Sequence, residues 1–435
     1  MSEFVTWFRA AAPYIHAFRG RTFVIAFGGE VVDDEHFVDL VHDINVLHSL
    51  GIRLVLVHGA RPQIESALAA RGVVSRYHRG LRVTDRATLD CVLEAEGKVR
   101  AAIEAKLSMS LPNSPMAGAR IDVTGGNFVV ARPAGVIEGV AMLHTGEVRA
   151  IDSVAIKQRL DDGAIVLISS IGYSPTGEIF NLAVEEVATH TAVALTSQKL
   201  VFLMDTAGVV DAEGALITEL TTTEALALLN NGNSLSDDTR FYLPKAVHAC
   251  KGGVARAHLI SRHSDGGLLM ELFTRDGVGT MIAQQGLDNL RQASIADIGG
   301  LLALLEPLEA QGVLVRRPRE MLEREIERFV VAEHDGAIIG CAALYPFPNT
   351  ASGELACLAV DPDFRRDGYG AAIADEIEQR ARGAGLQRLF VLTTKSAHWF
   401  VERGFSKASV DDLPDEKQAL YNYQRKSEVL VKLLN

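Results

Sequence analysis

The sequence predicts an α/β protein in two parts: an αβα sandwich with a mainly parallel sheet, then a smaller α+β domain with a mixed sheet. Three observations predict it. The chain has 435 residues, too many for one ordinary domain. Over roughly the first 280 residues, short apolar strands alternate with helical stretches, which implies parallel strands covered on both faces. Past Gln284 the order changes to helix, charged helix, strand, hairpin and strand.

Taken in order, Phe4, Phe8, Ala11, Ile15 and Phe18 recur at helical spacing and predict an amphipathic helix over 3–19. Thr22–Phe27 is an apolar strand ending in Gly28-Gly29. A helix follows, with Phe37, Leu40, Val41, Ile44 and Leu47 on one face. Arg53–Val57 forms the next strand and runs into His58-Gly59-Ala60-Arg61-Pro62. Phe128–Ala131, Ala164–Ser169, Leu200–Met204 and Ala257–Ile260 are further buried strands. Ligands of such sheets sit at the carboxyl ends of strands, where the glycine-rich turns fall. A polar stretch, Gln284–Asn289, marks a boundary near residue 287, giving domains 1–285 and 295–435 with a linker at 286–294. Beyond it come a strand end and helix from Ile295, a charged helix over Arg319–Arg328, and strands Phe329–Glu333 and Ala337–Tyr345 joined at Asp335-Gly336, an Asp-Gly hairpin signal. Strand Glu354–Val360, helix Ala371–Gly383 and strand Leu389–Thr393 complete the domain.

Composition narrows the function. With 48% hydrophobic and 23% charged residues the chain reads as an ordinary globular protein. A formal net charge of −12 argues against nucleic acid or an anionic membrane as partner, while leaving room for a small anion. Cys91, Cys250, Cys341 and Cys357 show no CxxC spacing and read as buried free thiols. No apolar run reaches membrane-spanning length, and Glu3 and Arg9 interrupt the N-terminal apolar residues, so a cytoplasmic location is expected.

The most informative stretch is Glu354–Gly370. An apolar strand with a carboxylate near its start runs into Arg365-x-x-Gly368-x-Gly370, which opens a helix. Such a turn offers backbone N–H groups and a helix dipole to an anion, and its glycines let a pyrophosphate approach closely. This pattern fits an acyl-CoA site beside a general base. Cys357, Leu358, Ala359 and Val360 supply a strand edge for pantetheine. Arg365, Arg366, Asp367, Gly368, Tyr369 and Gly370 supply the amide nest and its charge.

With the later Trp399-Phe400-x-x-x-Gly404-Phe405, this stretch resembles the GNAT acetyltransferase family over most of 295–435. The runs Cys341–Pro348, Leu389–Lys395, His398–Phe405 and Leu420–Ser427 resemble, more narrowly, the bacterial N-acetylglutamate synthases. The resemblance implies acetyl-CoA as co-substrate, L-glutamate as acceptor, no metal, and a place at the start of arginine biosynthesis. Glutamate arrives as an ammonium that a base must deprotonate, and Glu354 is the candidate, directly or through a water. A backbone N–H near Cys357 or Leu358 would meet the oxyanion. Thr393 stands where the resemblance puts a hydroxyl for the departing thiolate; a strand-end hydroxyl bonding its own backbone is the equal alternative. Cys357 is the one candidate for an acyl-enzyme, against the plainer reading of an inert thiol. A dicarboxylate calls for arginines: Arg316 and Arg317, leaving a strand-like Val313–Val315, and Arg425 with Ser427. On a strand, one of the neighbouring pair would face the site.

Residues 1–285 resemble the amino-acid kinase family, nearest to acetylglutamate kinases, through Val55–Ile64, Gly80–Asp85, Gly177–Leu182, Lys199–Gly208 and Pro244–Val247. The phosphate elements depart from that pattern. Ala26-Phe27-Gly28-Gly29 lacks the lysine that offsets γ-phosphate charge. Gly59-Ala60-Arg61 replaces a glycine triplet, and Phe241-Tyr242-Leu243 precedes Pro244-Lys245. Lys245 and Arg82 are then structural. Arginine-sensitive members of that family carry a tyrosine in an N-terminal helix and a late His, Glu and Gly. Tyr14, His258, Glu271 and Gly277 match them, with Lys199 beside them. The resemblance implies L-arginine as effector, its guanidinium paired bidentately by Glu271 and its carboxylate met by Lys199. It also implies a homo-oligomer, a hexamer, joined through the N-terminal helix. The competing readings are an ATP-dependent kinase with an accessory CoA domain and a non-catalytic arginine and acetyl-CoA sensor.

Overall fold

Eight strands form the sheet at the centre of the first unit in this computed structural model, which describes residues 3–231, 235–274, 277–284, 289–334, 337–365, 368–419, 421 and 427–434. The chain divides into Met1–Gly286 and Leu287–Asn435. From one edge, the first sheet runs Glu219–Thr221, Thr280–Ala283, Arg256–Ser261, Lys199–Met204, Thr22–Phe27, Arg53–His58, Ile165–Ser169 and Val123–Thr124. Every pairing is parallel except that between Arg256–Ser261 and Thr280–Ala283. Alternate residues feed two cores. Val24, Val55, Val166 and Phe202 pack on one face, and Phe23, Ile25, Leu56 and Val201 on the other. Burial on both faces explains why these strands read as continuous apolar runs.

Two sequence expectations are corrected in this unit. The strand expected at Phe128–Ala131 forms as Val129–Pro133, but in a separate four-stranded sheet with Gly146–Ile151, Ile171–Tyr173 and Ile179–Asn181. The helix expected over 3–19 forms as two, Glu3–Ala10 and Ala12–Phe18. Pro13 has no N–H for the ladder, which is why the break falls there. Phe18 and Ala11 are buried, whereas Trp7 and Phe8 are exposed.

The second unit is built on a seven-stranded mixed sheet, ordered Asn289–Gln292, Phe329–His334, Ala337–Phe347, Ser352–Val360, Arg388–Thr393, Glu428–Leu433 and Ser406–Ala408. The helix Tyr369–Gly383 covers one face through Ile373, Ala374 and Ile377; Leu301, Leu304, Leu305 and Leu322 cover the other. Ile295 lies in a 3₁₀ turn, Ile295–Asp297, and not at a strand end. Asp297 closes that turn with Ser294 and accepts from Arg291, which holds its carboxyl down at about 2. The residues 313–315 are not a strand, so alternation does not sort Arg316 from Arg317. The Asp335-Gly336 hairpin and linker residues 286–288 lie outside the described residues.

Candidate active site

The Ser352–Val360 strand has a neighbour on both sides only at its start. Ser352, Gly353 and Glu354 pair in parallel with Arg388, Leu389 and Phe390, and beyond Glu354 the two strands part. On the other side, the ladder steps from Ala356 opposite Ala343 to Ala359 opposite Cys341, so an extra residue is accommodated around Cys357 and Leu358. Cys357 there has φ +56°, a left-handed backbone uncommon outside glycine and tolerated at a bulge. Parted strands and bulge together open a cavity of about 1150 Å³, lined along this strand from Glu354 to Val360. That exceeds the usual small-ligand pocket and suits a long cofactor with a small acceptor.

The glycine turn forms the far wall. Arg365, Gly368, Gly370 and Ala371 line the cavity. Gly368, at φ +84°, caps the helix Tyr369–Gly383, so the positive end of its dipole meets the cavity. A Cβ on Gly370 would stand 3.3 Å from the Trp399 indole, so glycine lets that ring pack on the turn. Arg403 stacks on Trp399, 3.7 Å from its centroid. The Tyr369 side chain does not contribute: it is buried in the core edge-on to Phe364, its hydroxyl 3.4 Å from His334 Nδ1. Only its backbone remains for an anion, which is the part an amide nest uses. Arg366 and Asp367 lie outside the described residues.

Glu354 sits where the strands part, buried, with Tyr345 opposite it in the ladder. Its one side-chain hydrogen-bond partner among the described residues is Lys417, whose Nζ donates to Oε2 at 2.7 Å from the short helix Asp415–Gln418. Thr393, at the end of the parting strand, is buried on the cavity wall. Its Oγ accepts the Ser396 N–H at 3.0 Å, which leaves the hydroxyl proton free to donate. Arg316, Arg317 and Ser427 also line the cavity. The Arg317 backbone N–H donates to Glu309 and its Nη1 to the Val315 carbonyl, while its buried Nε has no hydrogen-bond partner among the described residues. Arg425 lies outside the described residues. Burial pushes the Cys357 thiol up to about 12. Lys417 carried no sequence signal, since a lysine after Asp-Glu in a polar stretch reads as solvated. Trp399 and Phe400 both line the cavity, Phe400 from within the core and Trp399 packed against it.

In the first unit the effector candidates come together, but not as expected. Lys199 and His258 lie on adjacent parallel strands, Nζ to Nε2 3.2 Å. His258 Nδ1 is 2.6 Å from Glu271 Oε1, and Glu271 Oε2 accepts the N–H groups of Val278 at 2.8 Å and Gly279 at 2.9 Å. Oε2 is therefore filled while Oε1 keeps room for one more donor, and bidentate pairing with a guanidinium requires a backbone N–H on Oε2 to give way. Gly277, at φ +59°, leaves room for this carboxylate: a Cβ there would stand 2.5 Å from Oε2. Lys199 is fully enclosed, with the Phe18 ring centroid 4.9 Å from Nζ and Tyr14 next along, 6.0 Å from Phe18. Burial brings Lys199 down to about 7; burial, then the Lys199 charge, brings His258 down to about 4. Burial opposes the ionised Glu271, yet its hydrogen bonds from His258 and the backbone win and hold it below the usual range.

The kinase-type phosphate elements are filled. Glu30 turns its carboxylate onto Gly28, 2.0 Å from where a Cβ would stand. Lys245 pairs with Glu186, and Arg82 with Glu65 and the Tyr77 ring. The cavity left between Gly28, Gly59 and Tyr242 holds about 130 Å³, too little for a nucleotide.

Fold and site define a GNAT-type acyl-CoA site on one unit and a kinase-like fold, closed to nucleotide, on the other. Residues 21–261 match the amino acid kinase family and residues 301–405 the acetyltransferase (GNAT) family. The amino-acid acetyltransferase of Pseudomonas paraeruginosa is 55% identical over 435 residues, 100% of both chains. That of Azotobacter vinelandii is 54% identical over 434 residues, again 100% of both. The N-acetylglutamate synthase of Neisseria gonorrhoeae complexed with coenzyme A and L-arginine superposes with a TM-score of 0.90 at 41% identity, covering 100% of both chains. The same enzyme complexed with coenzyme A and N-acetyl-glutamate superposes at 0.64. The chain belongs to the amino-acid acetyltransferase family. Among the described residues, no helix is long and apolar enough to cross a membrane.

Proposed function

We propose that this chain transfers the acetyl group of acetyl-CoA to the α-amine of L-glutamate, giving N-acetyl-L-glutamate and CoA, and that L-arginine bound to the first unit restrains the step. The observation that carries the transfer is the buried Glu354 carboxylate at the point where two strands part, facing a cavity walled by the glycine turn. The relatives' activity and the coenzyme A and N-acetyl-glutamate bound by the Neisseria enzyme support it.

In this reading the pantetheine lies along Cys357–Val360 and the pyrophosphate on the turn from Arg365 to Gly370. Glu354 accepts a proton from the glutamate ammonium. The freed lone pair attacks the thioester carbonyl carbon, and the oxyanion meets an N–H of the bulge at Cys357 or Leu358. Collapse breaks the C–S bond, and the Thr393 hydroxyl, donating to the departing thiolate, relays to it the second proton that the attacking nitrogen must lose, so that the hydroxyl is restored. Arg316, Arg317, Arg425 and Ser427 hold the two carboxylates; the unpartnered Arg317 Nε favours Arg317 as the nearest clamp. Residues 295–435 are the catalytic domain and 1–285 the regulatory one, joined by 286–294. Arginine enters at Tyr14, Lys199, His258, Glu271 and Gly277 by displacing a backbone partner of Glu271. The working form is a cytoplasmic homo-oligomer, a hexamer by resemblance, joined through the N-terminal helices; deleting residues 2–19 lowers its native mass. The deciding assay is thiol release from acetyl-CoA on adding glutamate without ATP. Release supports this reading, release only with ATP supports a kinase, and none at all supports a sensor.

A further inference from the structure

The ammonium of Lys417 sits on Glu354 Oε2, 2.7 Å away, in the same cavity that the acceptor must enter. The acceptor's reacting group is also an ammonium, and in the proposed mechanism it too must reach the Glu354 carboxylate. One carboxylate at this depth has two claimants of equal charge and the same N–H donor chemistry. The Glu354 side chain is 10% exposed and that of Lys417 21%, so water screens their pairing only partly. Arg317 lines the same cavity and adds positive charge to it, so the acceptor's ammonium meets more than one competing cation there.

We infer that Lys417 is a positioning residue that stands in for the substrate ammonium: it holds the Glu354 carboxylate in place when the acceptor is absent and is displaced from it when glutamate binds. Lys417 swings off Glu354 on its flexible stem and stays within the cavity mouth. There its charge disfavours a second ammonium and so favours the neutral, nucleophilic amine. The exchange sacrifices some glutamate affinity for an amine that gives up its proton more readily. No bond is made or broken to Lys417, and it carries no proton of the reaction.

The inference rests on Glu354 as the base, but its test does not depend on turnover. Binding of L-glutamate and of glutarate, which has both carboxylates and no ammonium, is measured by calorimetry on the full chain saturated with CoA. Lys417→Met is expected to tighten glutamate by roughly threefold to tenfold, the weight of one partly buried ion pair, and to leave glutarate unmoved. Lys417→Arg keeps the charge and returns glutamate affinity to near the starting value. In steady state, Lys417→Met lowers both KM for glutamate and kcat, the pattern of a removed ground-state competitor; a merely structural loss raises KM. Lys417→Gln, read alongside with CoA affinity as the control for a folded site, guards against a packing defect of the methionine. Glutamate affinity that is unchanged or weaker in both neutral variants, or glutarate tightening to the same degree, overturns the inference. Transfer that survives Glu354→Gln overturns the base assignment instead, and leaves the binding result to be read by itself.

Discussion

Glu354 in the second unit and Glu271 in the first are both 7% exposed; one lysine bonds Glu354 directly, and another bonds His258, the partner of Glu271. Burial does not distinguish them; partners do. Glu271 accepts from His258 on one oxygen and from two backbone N–H groups on the other, and Lys199 reaches it only through His258. Glu354 has one side-chain partner among the described residues, a lysine on a long stem at the edge of an open cavity. A carboxylate with three fixed donors is held in place, and a ligand reaches both its oxygens only by offering more than the hydrogen bond it displaces. A carboxylate with one exchangeable partner is available to take a proton. In the function proposed above, the same residue type at the same depth serves regulation in one unit and chemistry in the other, and the number of fixed donors separates the two roles.

The largest effect tests the chemical half of that contrast. Glu354→Gln keeps the volume and removes the proton acceptor. It lowers kcat for acetyl transfer by about 10²- to 10⁴-fold, read as thiol release, while CoA binding persists. Next is the regulatory half. Glu271→Ala leaves His258 and the N–H groups of Val278 and Gly279 without their acceptor, so the first unit loses on the order of 1–3 kcal/mol in denaturant unfolding. Transfer in this variant stops responding to arginine; inhibition at full strength would show that arginine binds elsewhere.

A smaller effect follows from titration. His258 is held neutral down to about 4, below its ordinary value of 6.5, so between these values the unfolded chain takes up a proton that the folded one refuses. Glu271, held below the usual carboxylate range, adds stability above its unfolded value and loses it as pH falls further. Both signs agree for this pair, whereas Asp43, Glu96 and Glu185 of the same unit, each raised to about 7 by burial, contribute in the opposite sense over the same window. The wild-type thermal midpoint should therefore lose ground, by several degrees, to that of His258→Gln, which has no imidazole to protonate, as pH falls from 6.5 towards 4. An equal slope in that variant would move the acid-sensitive group elsewhere.

The fold was legible where burial made long apolar runs, as in Phe23–Phe27, Leu54–Val57 and Leu200–Met204, and where glycines punctuated them. It misled where local pattern and tertiary pairing part. Phe128–Ala131 has the composition of a central strand yet pairs in a small separate sheet, because strand composition records burial and not which neighbour supplies it. Val313–Val315 is apolar enough for a strand but lies in a loop, and only the cavity shows that Arg316 and Arg317 both reach the site. The site's glycines and Glu354 could be placed from sequence because strand, turn and helix start are contiguous. Lys417 could not, since it comes from 63 residues further on and its contact with Glu354 exists only in three dimensions. The holding of Glu271 was equally hidden: its backbone donors follow it directly in sequence, but their direction depends on the left-handed turn at Gly277.

The smallest expected effect concerns Cys357, which shares the strand and the cavity with Glu354 and is the one thiol placed to form an acyl-enzyme. Nucleophilic attack needs a thiolate, and burial drives this thiol up to about 12. The nearby Arg317 favours the anion but does not overcome desolvation, and Glu354 opposes it. Near pH 7 the thiolate is then a fraction of about one in 10⁵, too rare to carry the flux. What Cys357 supplies is its backbone, bent to φ +56° at the bulge. Alanine adopts that bend no worse than cysteine and keeps the N–H. Cys357→Ala should therefore lower kcat by no more than about threefold, against the 10²-fold or greater loss expected of a missing nucleophile. Intact mass of the wild-type chain after acetyl-CoA without glutamate should show no added acetyl group. An acetyl adduct that disappears in Cys357→Ala would reverse the assignment and make the thiol, not the Glu354-activated amine, the first acceptor.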